Sequence, residues 1–350
     1  MKSNHQITRN ANNFDFIKIL FAWLVIVSHS YVLLANQGCD WLCEATNHYI
    51  NFSYFGVKGF ITISGYLIYK SINRSPNFID YLWKRVLRIY PALIIVLLLS
   101  VGLAYLIYQP SNKYFKFDQE ATQYILNNLT LYHNQWRIHG VFDKLSNTAI
   151  NGSLWTMGFE FFFYLVLLVL YPLRRFKRLS QIILLSTILI LVIGNLFYID
   201  QLKIVPFRLR VDFIFELGLF FMVGAFLGSI NWDIMVYKKQ MAIIAAIITC
   251  SLLYFQPNPI WLCFTWPYLV VFIGQGSSGL SNWIHANVED PSYGIYLYAF
   301  PIQQSIIYFF KPSVTVLIWS STLIAFAFGM LSWKYIEKKT LRFKDLFRSL

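Results

Sequence analysis

Residues 14–35 read FDFIKILFAWLVIVSHSYVLLA, an apolar stretch with Lys18 and His29 set inside it. At 1.5 Å per residue this run is long enough to cross a hydrocarbon layer of roughly 30 Å as an α-helix. Similar runs recur along the 350 residues, predicting ten helices at approximately 14–35, 53–70, 91–109, 153–172, 180–199, 213–230, 241–255, 260–275, 293–310 and 314–335. Composition agrees: 57% of the residues are apolar and 13% charged, against roughly 45–50% and 25% in soluble chains. Disorder, a secreted disulfide scaffold and a soluble enzyme are excluded. The expected fold is all-α, a polytopic integral membrane protein forming one membrane-embedded domain over residues 1–350.

The net charge of +13 does not mark a nucleic-acid binder, because Lys and Arg cluster between apolar runs and form no basic domain. Their distribution speaks to topology. Of the 29 basic residues, 19 fall on one side of the predicted helices, including Lys2, Arg9, Arg85, Arg88 and the tail from Lys334 to Arg348. Eight fall on the other, among them Lys113, Lys203, Arg208 and Lys311. Basic residues near helix ends are retained in the cytoplasm, so both termini, 1–13 and the basic tail 336–350, are assigned there. The first run lacks a small-residue cleavage site after Ala35 and reads as a retained helix; no soluble domain is appended.

Gln256-Pro257-Asn258-Pro259 separates two short predicted helices, which form either two spans or a re-entrant hairpin. The segment 110–152 is too polar to span and is placed outside, over an outward-facing site. Cys39 and Cys43 share the first outer loop, where a bridge is conceivable, while no Cys/His spacing marks a zinc site and no metal is expected.

Ionisable groups within spans are costly and turn toward a cavity or a partner. Lys18, His29, Lys58 and Glu160 are such groups. Eleven residues separate Lys18 from His29, a spacing that returns to the same helix face after roughly 16 Å. They either share a cavity, or Lys18 snorkels to headgroups and His29 bonds a neighbouring helix. Glu160, entering from outside, is expected to meet His29, where a carboxylate orients an imidazole as general base; the alternative partner is Lys58. Arg85 and Arg88, at i,i+3 before Pro91, form a fork for phosphate oxygens or for anionic lipid headgroups.

These segments together resemble the acyltransferase 3 family of integral-membrane O-acyltransferases. The family's basic residue, ten residues and a His correspond to Lys18 and His29. Its Gly-Val-x-x-Phe-x-x-x-Ser-Gly-aromatic pattern is matched by Gly56, Val57, Phe60, Ser64, Gly65 and Tyr66, and its Arg-x-x-Arg-Ile-x-Pro by Arg85, Arg88, Ile89 and Pro91. Leu154, Trp155, Thr156 and Glu160 match the pattern of the fourth helix. Residues 292–301, from Ser292 to Pro301, resemble the Ser-Tyr-x-x-Tyr-Leu-x-His-x-Pro pattern. Two departures stand out: Lys18 replaces the usual Arg, and Ala299 stands where many relatives have His.

The resemblance implies transfer of an acyl group, usually acetyl, from cytoplasmic acetyl-CoA to a hydroxyl of an extracytoplasmic or undecaprenyl-linked glycan, such as O-antigen, lipopolysaccharide or another surface polysaccharide, at a bacterial inner membrane. Lys18, Arg85 and Arg88 are expected to bind CoA, His29 and Glu160 to catalyse, and Trp155, Thr156 and Ser64 to contact the substrate. Direct transfer and an acyl-His intermediate are both open. The competing function is a proton-coupled transporter or channel, since buried Lys, His and Glu also form relays.

Overall fold

The computed structural model describes residues 12–34, 38–109, 116–198 and 209–348. Lys2, Arg9, Ala35, Lys113, Lys203 and Arg208 lie outside the described residues. Within them the chain is helical, with no strand. In order come α1 (Phe14–Leu33), α2 (Trp41–Ala45), α3 (Phe52–Arg74), α4 (Phe78–Ile107), α5 (Phe117–Leu129), α6 (Trp155–Leu168), α7 (Lys177–Phe197) and α8 (Val211–Ser229). They are followed by α9 (Lys238–Phe255), α10 (Leu262–Gln275), α11 (Gly279–Asn287), α12 (Ser292–Phe310) and α13 (Val314–Ser332). Each of the ten predicted helices has its counterpart; α2, α5 and α11 are additional.

Among the described residues six helical stretches are long and apolar enough to cross a bilayer: α1, α4, α7, α8, α9 and Val314–Phe343, which contains α13. α10 with its preceding turn and α11 form a broken pair, bent by 74°. At the Gln256–Pro259 break α9 ends with Gln256 left-handed at φ 52°, and the chain turns back so that α10 packs antiparallel on α9, Thr249 Oγ1 donating to Thr265 Oγ1 at 2.8 Å and the Tyr268 hydroxyl to the Lys238 carbonyl at 3.0 Å. The chain is an all-α, polytopic membrane protein. The peripheral helices turn apolar side chains outward, such as Ile190 of α7 and Ile247 of α9, as lipid requires.

The centre is built from α1, α3, α8 and α12. Phe14 stacks on Tyr66, and a Cβ at Gly59 would strike the Phe21 ring, so α1 and α3 run antiparallel with residue 14 level with 66 and 21 level with 59. α3 and α8 approach backbone to backbone: a Cβ at Gly65 would sit 2.0 Å from the Phe221 carbonyl oxygen, and one at Gly224 2.2 Å from that of Thr62. Small residues give such contacts in bilayers, where close packing replaces the hydrophobic effect between helices.

One predicted boundary is corrected. The third helix begins at Phe78, not 91, and runs through Pro91 for 30 residues. Asn77 caps it, its side chain accepting from the Asp80 amide at 2.7 Å. Pro91 forfeits only the bond to the Leu87 carbonyl, a local loss that the long flanking runs absorb. Between α1 and α3, Cys39 and Cys43 are joined as a disulfide.

Candidate active site

The first turns of α4 carry the basic residues of the site. Lys84 is neutralised by Asp80 one turn back, at 2.6 Å. Arg88 and Lys18 converge from different helices on Asp290, two residues before α12: Arg88 Nη2 lies 2.9 Å and Lys18 Nζ 2.5 Å from its Oδ2. Lys18 also meets Asp15 at 3.0 Å, and Arg88 reaches Glu337 at 3.4 Å. Burial disfavours a charged Asp290, but the flanking Lys18 and Arg88, with a hydrogen bond from Ser292 Oγ at 2.6 Å, hold its carboxyl well below the usual carboxylate range.

Arg85 differs. No carboxylate pairs with it among the described residues; its Nη2 donates to Ser71 Oγ at 3.3 Å, its guanidinium lies 5.7 Å from the Tyr81 ring and 5.8 Å from that of Tyr164, and its Nε has no partner. It therefore offers uncompensated positive charge.

That charge stands on a cavity of about 400 Å³. Its wall carries the basic residues Lys18, Lys84, Arg85, Arg88 and Lys344 together with Ser64, Thr156, Glu160, Tyr164 and Tyr296, and apolar surface from Val57, Phe60 and Ile61. In this wall Ser64 Oγ donates to Glu160 Oε1 at 2.7 Å, and the Tyr164 hydroxyl donates to the same oxygen. Thr156 and Tyr296 share a hydrogen bond at 3.0 Å. A cavity that joins basic, polar and apolar wall suits an anionic head with a long uncharged arm.

A family sequence model described as an acyltransferase domain matches residues 12–334. The chain belongs to the acyltransferase 3 family. It is 28% identical over 349 residues to an O-acetyl transferase of Shigella phage Sf6, covering 95% of this chain and 96% of that protein. It is also 28% identical over 204 residues to Nodulation protein 10 of Rhizobium leguminosarum bv. viciae, covering 52% of this chain and 50% of the relative. No solved structure matches. Family membership makes the chain a membrane acyltransferase.

Of the eight residues expected to bind or catalyse, Lys18, Ser64, Arg85, Arg88, Thr156 and Glu160 share the cavity wall; His29 and Trp155 do not. Trp155 packs instead on Phe159 and Phe213, at 5.7 and 4.9 Å between ring centres. The expected His29–Glu160 contact is not made. His29 packs edge-on against Phe300 at 5.5 Å, and its buried Nδ1 has no partner. The reason lies in the entry to α6. Asn151 Nδ2 donates to the Leu297 carbonyl at 3.0 Å, and a Cβ at Gly152 would strike the Phe300 ring. The chain has thus already descended to the level of His29 before α6 begins, and Glu160, eight residues on, lies roughly 12 Å deeper. Lys58 does not pair with Glu160 either; it meets Glu216 of α8 at 2.7 Å.

Sequence reasoning missed Asp290, Glu337, Tyr164 and Glu216. Asp290 carried a signal, a carboxylate just before the Ser292–Pro301 pattern; the others lie in apolar or basic contexts that point nowhere. Ala299 is buried among Ala22, Ile26, Ile295 and Ala325, filling a tight contact between α1, α12 and α13.

Proposed function

We propose that the protein is an acetyl-CoA-dependent O-acyltransferase of a bacterial inner membrane, acting as one membrane domain with both termini cytoplasmic. It moves the acetyl group to a hydroxyl of an extracytoplasmic or undecaprenyl-linked glycan, such as O-antigen of lipopolysaccharide. The observation that carries this reading is one cavity whose wall holds Arg85 and Lys344 together with Glu160, Ser64 and Thr156. The excess of basic residues on the side of Arg85 and Lys344 supports its assignment to the cytoplasm. The 28% identity to the phage O-acetyl transferase across nearly both chains supports the reaction class.

In this reading Arg85 takes phosphate oxygens of CoA, with Lys18 and Arg88 supplying positive potential from their hold on Asp290. Glu160 has one oxygen engaged by Ser64 and Tyr164; its other oxygen accepts from an amide N–H of the pantetheine arm. The thioester then rises toward His29, which removes the acceptor proton as the hydroxyl oxygen attacks the carbonyl carbon; the C–S bond breaks and CoA leaves as the thiol after protonation. Glu160 is therefore assigned to the donor arm, not to orienting His29.

Purified protein in proteoliposomes, given labelled acetyl-CoA and glycan from cells lacking the gene, tests the reading. Label should appear on the glycan, and mass spectrometry of surface and lipid-linked glycans should show an acetyl mass that depends on the gene. His29→Ala should abolish transfer while retaining CoA binding. Glycan movement across the membrane without thioester loss would establish transport instead.

A further inference from the structure

Past α13 the chain makes a single π-helical turn, Trp333–Glu337, and then folds back against the start of α4. Three contacts hold it there. Asn77 Nδ2, at the cap of α4, donates to the Phe347 carbonyl at 2.8 Å, Trp83 Nε1 donates to the Phe343 carbonyl at 2.8 Å, and the Trp83 and Phe347 rings meet edge-on at 5.3 Å. Two backbone carbonyls of the tail are thus taken by side chains of another helix, which fixes the course of the short segment between them. That segment carries Lys344. Lys344 and Leu341 stand in the wall of the same cavity that Arg85 lines. Both lie beyond residue 334, where the family match ends, so the tail brings to the cavity a cation from outside the matched region.

The cations of this wall are unequally committed. Lys84 is held by Asp80, and Lys18 and Arg88 by Asp290. Beside Lys344 in the chain, Asp345 is paired with Arg348 at 3.3 Å. Among the described residues no carboxylate pairs with Lys344, as none pairs with Arg85. The two stand at different depths. Arg85 has a buried Nε and lies against the Tyr81 and Tyr164 rings, whereas Lys344 is exposed. Two uncompensated cations, one inside and one at the edge, suit a ligand that carries phosphate at two points along its length.

We infer that residues 341–348 are a strap that completes the donor site, and that Lys344 binds the phosphate on the ribose of CoA, the one farthest from the thioester. This rests on the acetyl-CoA reading above and deepens it. With the pantetheine arm at Glu160 and the diphosphate at Arg85, the ribose phosphate comes last, at the exposed edge where Lys344 stands. Trp83 is then a positioning residue, acting through its hold on the Phe343 carbonyl. The strap gives the site its preference for CoA over a thioester of the same arm without that phosphate, because such a donor keeps Arg85 and loses only Lys344.

The test uses full-length protein in nanodiscs of phosphatidylcholine, titrated with acetyl-CoA and with acetyl-dephospho-CoA, which lacks only the ribose phosphate. The parent should bind acetyl-CoA about tenfold more tightly, the low end for one charge-assisted contact. Lys344→Ala should weaken acetyl-CoA by about that factor and leave acetyl-dephospho-CoA within twofold, so that the preference disappears, while Lys344→Arg should keep it. Trp83→Phe, which retains a ring against Phe347 but not the donor to Phe343, should reduce the preference as well. Arg85→Ala should weaken both thioesters and serves as the contrast. If Lys344→Ala weakens both thioesters alike, or neither, the inference is overturned and the acetyl-CoA reading stands. A loss that appears only when phosphatidylglycerol is added makes Lys344 a headgroup contact and overturns it equally. A parent protein that binds neither thioester overturns the acetyl-CoA reading, and the strap with it.

Discussion

Lys18 of α1 and Arg88 of α4 are bound to the same oxygen of Asp290, at 2.5 and 2.9 Å, so two helices far apart in sequence are tied through one carboxylate at the entrance of α12. This divides the basic cluster into paired residues, which hold the mouth together, and Arg85, which remains free for a ligand. Arg88→Ala should lower thermal stability by about 3 kcal/mol, the low end for breaking a buried ion pair, since Glu337 loses its cation. Arg85→Ala should leave stability nearly unchanged and weaken CoA binding by about 1.5–3 kcal/mol. Melting curves and CoA titrations on the two proteins separate the roles; equal effects on both quantities would reject the division.

Acid should act through the same carboxylate. Burial opposes charge on Asp290, but Lys18 and Arg88 outweigh it, so the folded pKa is depressed. A depressed pKa contributes stability that is fully present above the unfolded value, near pH 4, and is lost as pH falls toward the folded value. Asp290→Asn should therefore be less stable than the parent at pH 6, with the difference shrinking below about pH 4. A difference that stays constant from pH 6 to 3 would refute this.

Packing between α3 and α8 leaves no room at Gly65 for a methyl group beside the Phe221 carbonyl. Gly65→Ala should cost about 1–3 kcal/mol, the range for overpacked interiors, as the helices are forced apart. Gly102, whose surroundings are open, provides the control: Gly102→Ala should leave the melting temperature the same or raise it slightly.

In the wall of the donor cavity, Tyr164→Phe removes one of the two donors to Glu160 Oε1 and keeps the ring. A lost hydrogen bond of about 1 kcal/mol corresponds to roughly a fivefold rise in the KM for acetyl-CoA. Because Tyr164, twelve residues past Gly152, lies roughly 18 Å from the level of His29, the KM for glycan should not move. Steady-state kinetics with each substrate varied in turn checks both statements.

The site was legible in part. Local patterns put Lys18, Ser64, Arg85, Arg88, Thr156 and Glu160 forward, and the fold brings all six to one cavity. The pairing of Glu160 with His29 was not legible, because depth was counted from the start of an apolar run while Asn151 and Gly152 dip to the level of Phe300 before α6 begins. Hydropathy records which residues leave water and is blind to a loop that enters the bundle by hydrogen-bonding to another helix.

The sequence by itself determined that the chain is helical and embedded in lipid, since apolar runs of bilayer length can satisfy their backbone only as helices, and it marked the ionisable residues within them. Only the tertiary structure decided which charges are spent on one another and which, like that of Arg85, are left for a ligand. It alone set His29 and Glu160 in separate layers. The physical reason is that partnership between buried polar groups depends on helix register and crossing, fixed by contacts such as Gly65 on Phe221 and Gly152 on Phe300, and those contacts join residues that no local pattern connects.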